Sequence, residues 1–69
     1  MNGDWEEFLV EAQEVLDLLD EIKGAGTDYA NSVSSQLEGV MEWVEEHEHV
    51  TERQEAALAN WREGAEKWL

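Results

Sequence analysis

An all-α fold, a small three-helix bundle, is predicted by three features of this 69-residue sequence. Apolar residues recur every three or four positions in three stretches, short capping or glycine segments separate those stretches, and the length allows one domain, residues 1–69. The predicted helices cover about residues 5–23, 29–48 and 52–68. Each is about 27 to 30 Å long at 1.5 Å per residue, so the three can pack side by side.

The first helix opens at Asp4, read as the N-cap, with Glu7 three residues on in a capping-box-like pairing. Trp5, Phe8, Leu9, Ala12, Val15, Leu16, Leu19 and Ile22 then form one apolar stripe. Gly24, Ala25 and Gly26 end it, because glycine readily takes the left-handed conformation at a C-cap. Thr27 or Asp28 is the expected cap of the second helix.

In the second helix Tyr29, Ala30, Val33, Leu37, Val40 and Val44 are expected to face inward, with Met41 and Trp43 on opposite flanks. Its Ser-rich part, Asn31 to Ser35, has the weakest helix propensity. Val50 and Thr51 form the break before the third helix, and Thr51 with Gln54 spells a capping box. Ala57, Leu58, Trp61, Ala65, Trp68 and Leu69 share one side of that helix. The loops are short enough to require antiparallel neighbours.

Composition narrows the function. Eighteen acidic against four basic residues give a formal net charge of -14. That balance opposes direct binding to nucleic acid or to an anionic membrane, both of which need basic groups against phosphate. It favours cations and basic protein surfaces as partners. Intrinsic disorder is disfavoured by 42% hydrophobic residues and four tryptophans. Without cysteine there is neither a disulfide framework nor a thiolate site. Met1 to Glu7 carry no basic leader and no apolar run reaches the roughly 20 residues of a membrane span, so a cytoplasmic protein is expected.

The acidic residues are arranged. At 100° per residue, Glu7, Glu11, Glu14, Asp17 and Glu21 fall on the face of the first helix opposite its apolar stripe. Successive carboxylates there are about 5 to 6 Å apart along the axis, similar to neighbouring phosphates on a nucleic-acid strand. The second helix adds Glu38, Glu42, Glu45, Glu46 and Glu48, and Lys23 is the only basic residue between Asp4 and Glu48. A face serving only solubility would intersperse lysines for i,i+4 pairs. Asp20, Glu21, Glu45, Glu46 and Glu48 also sit near helix C-termini, where the macrodipole disfavours anions. Val10 and Leu18, eight residues apart within the acidic face, and Trp43 beside the second cluster supply candidate apolar anchors.

Catalysis is not expected. Glu46 and His49 fit one Glu-x-x-His motif, but carboxylate-bridged di-iron bundles need two plus further inward glutamates. His47 and Glu48 lack the second histidine of the zinc-protease motif, so no metal ligand is assigned. Gly24 and Gly26 fit no nucleotide-binding spacing, and Ser32, Ser34 and Ser35 have no histidine at a nucleophile spacing. No cofactor is implied.

Ser32, Val33 and Gln36, then Trp43, then Thr51, Glu52, Arg53 and Gln54, then Ala57, Leu58 and Asn60 resemble a helical hairpin of small phage and prophage proteins. The resemblance covers under half the chain and implies an association with nucleic-acid metabolism. In size and charge the chain also resembles phage-encoded DNA mimics of the anti-restriction and anti-CRISPR type. The expected function is therefore an acidic binding module, an inhibitor that occupies the basic nucleic-acid-binding surface of a partner protein. Its contact residues would be Glu7, Val10, Glu11, Glu14, Asp17, Leu18, Glu21, Glu38, Glu42, Trp43, Glu45 and Glu46. The alternatives are a helical homodimer acting as an assembly module, whose acidity serves solubility, and an acidic accessory domain of a halophilic host.

Overall fold

The computed structural model describes residues 4–68. Within them run α1 (Asp4–Glu21), α2 (Thr27–His47) and α3 (Glu52–Glu66). α1 and α3 run parallel: Glu55 and Leu58 lie by Asp4 and Phe8 at one end, and Glu66 lies by Glu21 at the other. α2 runs back between those ends, with Tyr29 meeting Trp61 late in α3. α1 packs most closely against α2, and α2 and α3 touch least.

The period-3.6 pattern translates directly into burial. Phe8, Ala12, Val15, Leu19 and Ile22 of the first segment are buried against Ala30, Val33, Leu37 and Val44 of α2 and Leu58 and Ala65 of α3. No buried polar or charged residue interrupts this core among the described residues. Trp5, Leu9, Leu16, Tyr29, Val40, Met41, Val50 and Trp61 are half-buried and pack against it. The third helix contributes the fewest core residues, which makes it the least firmly anchored element.

The connections depart from the sequence reading in several places. Asp4 lies inside α1 instead of capping it, and the cap position falls outside the described residues. α1 is not ended by a left-handed glycine, and no described glycine has positive φ. The chain tightens instead: Lys23 N–H donates to the Asp20 carbonyl at 3.4 Å and Ala25 N–H to that of Ile22 at 3.0 Å, three-residue bonds that use up the last carbonyls. Gly26 instead lies against the ring of Trp68, which a side chain there would push aside. A Cβ there would stand 2.9 Å from the Trp68 ring.

α2 starts two residues earlier than its apolar pattern indicates. Gly26 holds the cap position without a side-chain bond, and Thr27 lies inside the first turn, its hydroxyl donating back to the Lys23 carbonyl. Asp28 is likewise a first-turn residue, where its charge complements the helix N-terminus. The other end stops at His47. Glu48 takes the left-handed conformation (φ 51, ψ 44), and its N–H bonds the Val44 carbonyl.

The Thr51 capping box is present in full: Gln54 N–H donates to Thr51 Oγ1 at 3.1 Å, and Thr51 N–H donates to Gln54 Oε1 at 2.9 Å. α3 ends at Glu66, so Trp68 lies past the helix, 46% exposed, with its ring over Gly26 and 6.5 Å from that of Tyr29. It is not a core residue. Leu69, expected on the same stripe, lies outside the described residues.

Candidate acidic interface

The carboxylates of α1 do not simply face away from the bundle. α3 lies along their flank, so Glu7, Glu11, Glu14, Asp17 and Glu21 form one wall of a groove between α1 and α3. Asp4 extends that wall at one end. The opposite wall carries Glu55 and Glu66, with Arg62 between them. Phe8 and Leu58 reach the groove at the Asp4 end, and Val15 and Leu18 at the Glu21 end.

The helical repeat explains this placement. Glu7, Glu11, Glu14 and Leu18 follow steps of four, three and four, which keep them on one flank of α1. That flank adjoins the core stripe on the side α3 covers. Leu18 is therefore half-buried: it packs against the core and also lines the groove beside Glu14, Asp17 and Glu21. Val10 is 64% exposed and borders the groove beside Glu7, Glu11 and Glu14.

Arg62 is the residue that sequence reasoning missed. Its Nη1 donates to Glu11 Oε1 at 3.0 Å, and its Nη2 lies 3.5 Å from Glu14 Oε1. Counting cations along the first two helices finds only Lys23, which pairs locally with Asp20 at 3.4 Å. The cation that enters the acidic row comes from 51 positions further along the chain. No local spacing announces it.

On α2, Glu42, Glu45 and Glu46 line a shallow depression of their own, and Glu38 is exposed one turn before them. This cluster is separate from the α1–α3 groove. Trp43 is 37% exposed, and its ring stacks on His47 at 4.0 Å and 15°. The Nδ1 of His47 lies 2.9 Å from the Trp43 carbonyl, and the His49 ring is 6.5 Å from the indole. The i,i+4 spacing of Trp43 and His47 is the signal that could have found this stack. Among the described residues no group of three or more His, Asp or Glu is placed to hold a metal ion.

Chemically, the groove offers paired carboxylates, exposed enough to meet a partner, at the level of successive helical turns. No helix of the described residues is long and apolar enough to cross a membrane. Comparison with known proteins places the chain beside none of them: no family model, curated protein or solved structure matches it.

Proposed function

We propose that this protein is an acidic binding module that docks on the basic, nucleic-acid-binding surface of a partner protein and so competes with nucleic acid for it. The carrying observation is the convergence of carboxylates from α1 and α3 on one groove, with Arg62 the one cation among its lining residues. Asp4, Glu7, Glu11, Glu14, Asp17 and Glu21 succeed one another along α1 at intervals of one helical turn, about 5 Å, which is the scale of phosphate spacing. Lysines and arginines arranged to grip a nucleic-acid strand would meet this row at similar intervals. Val10, exposed among these carboxylates, provides apolar contact that charge alone does not. Glu38, Glu42, Glu45, Glu46 and Trp43 form a second contact area on α2.

In phage-encoded inhibitors of host defence, the type the chain resembles in size and charge, such competition is the mode of action. The test is retention of nucleic-acid-binding proteins on the immobilised protein, with elution by salt and by added duplex DNA. Replacing Glu7, Glu11 and Glu14 together by lysine is expected to abolish retention. Undiminished retention by that variant removes the reading.

A homodimer is the second reading, favoured by the exposure of Trp43 and Trp68. Sedimentation separates the two, because screening of a -14 charge would strengthen self-association with salt and weaken capture of basic proteins.

A further inference from the structure

We infer that Arg62 is an internal occupant of the α1–α3 groove, holding between Glu11 and Glu14 the place that a partner's arginine takes on binding. The inference rests on the proposed recognition of a basic surface and adds to it an exchange of one guanidinium for another.

The geometry is that of a bound arginine. Two different terminal nitrogens of Arg62 reach two different carboxylates, at 3.0 Å to Glu11 and 3.5 Å to Glu14. Glu11 and Glu14 are three residues apart on α1 and so are neighbours on its surface, a pair that the planar guanidinium fork can span and an ammonium cannot match. The contact is also open to exchange. The side chains of Arg62, Glu11 and Glu14 are 39%, 48% and 60% exposed, so water and an incoming cation reach all three. Exposed pairs of this kind hold weakly.

The consequence is a groove with three zones. At one end Glu7 lies across from Glu55 with no cation in the lining, whereas at the other Glu21 and Glu66 share their lining with Arg62. The centre is occupied. A basic partner therefore meets unpaired carboxylates first and must displace Arg62 to use Glu11 and Glu14. Arg62 thus weakens binding to any cationic chain and penalises partners that lack an arginine able to replace it.

The experiment measures binding of a deca-arginine peptide at low salt to the wild-type chain and to the Arg62→Gln and Arg53→Gln variants. Arg53 is exposed on the same helix and makes no ion pair among the described residues, so the two substitutions change net charge equally. Arg62→Gln is expected to bind about fivefold more tightly than Arg53→Gln, the excess reporting the vacated central position. Arg62→Lys, which keeps the charge and lacks the fork, should fall between wild type and Arg62→Gln. Equal affinities for the two glutamine variants, or weaker binding by Arg62→Gln, overturn the inference while leaving recognition of basic surfaces standing. Failure of the wild-type chain to bind the peptide at all overturns both.

A second measurement needs no substitution. In the isotopically labelled wild-type chain, the Arg62 side-chain resonances should move towards those of a solvated arginine as the peptide saturates the groove. Resonances unchanged at saturation show that Arg62 stays paired and overturn the exchange.

Discussion

The Tyr29 hydroxyl donates to the backbone carbonyl of Trp61 across 3.2 Å and fills the space that a side chain at residue 64 would need. Gly64 is therefore what lets α2 and α3 approach at this end of the bundle. Gly64→Ala gains up to about 1 kcal/mol of helix propensity but forces an overpacking cost of roughly 1 to 3 kcal/mol, so net destabilisation is expected. Tyr29→Phe removes the hydrogen bond, a loss of about 0.5 to 1.5 kcal/mol, yet also removes the hydroxyl oxygen that meets the new methyl. The double variant should thus lose less than the sum of the singles, as urea denaturation of all four proteins will show. Gly39, exposed within α2 with nothing near its missing Cβ, is the control: Gly39→Ala should stabilise by about 0.5 to 1 kcal/mol.

Glu48 carries the only positive φ among the described non-glycine residues, at the end of α2. A left-handed residue with a Cβ is strained by about 1 kcal/mol or more, and glycine there relieves it at some cost in unfolded-chain entropy. Glu48→Gly is expected to raise the denaturation midpoint, with Glu48→Asn second. Glu48→Gln separates charge from backbone, because it removes the anion from the helix C-terminus and keeps the strain. A glycine variant no more stable than the glutamine variant would show that charge alone governs this site.

Helix number, order and core were legible because burial follows the 3.6-residue repeat without a buried polar exception among the described residues. The Thr51 and Gln54 cap was legible for the same kind of reason: both hydrogen bonds join residues three apart. What the sequence concealed is tertiary. Gly24 and Gly26 look like a left-handed terminator, but neither has positive φ, and Gly26 instead lies against Trp68, more than forty positions away in the chain. The left-handed position falls on Glu48, which propensity alone would leave inside a helix. The acidic row on α1 was visible as a row, whereas its pairing with Arg62 depends on which flank of α1 the third helix covers. The partial burial of Leu18 has the same origin: the flank of α1 that carries it is partly roofed by α3.

The capping box at Thr51 predicts a stability effect confined to one helix end. Thr51→Ala loses the acceptor for Gln54 N–H and is expected to cost about 1 kcal/mol, whereas Thr51→Ser retains most of it. Gln54→Ala removes the reciprocal bond to Thr51 N–H and should cost less than Thr51→Ala, since the amide at Thr51 is only part-buried and water can replace the glutamine. Hydrogen exchange should show the increased opening at the start of α3, with α1 protection unchanged at matched global stability. Loss spread evenly over all three helices would mean that α3 does not open separately.

Salt should act in opposite directions on folding and on binding. At a net charge of -14 in a bundle 38 Å long and 17 Å across, like charges repel over the whole molecule. Raising the ionic strength from 0.01 M to 1 M shortens the screening length from about 30 Å to about 3 Å, which removes that repulsion. The Arg62 pairs with Glu11 and Glu14 are weakened by the same screening, but exposed pairs contribute at most about 1 kcal/mol each, whereas the net charge of -14 repels over the whole bundle. The thermal midpoint is therefore expected to rise with sodium chloride while affinity for deca-arginine falls steeply. Arg62→Gln should show the larger rise in midpoint, because its groove has lost its one cation and has more repulsion for salt to relieve. A midpoint that falls with salt in both proteins would mean that ion pairing, not repulsion, dominates the electrostatics of the fold.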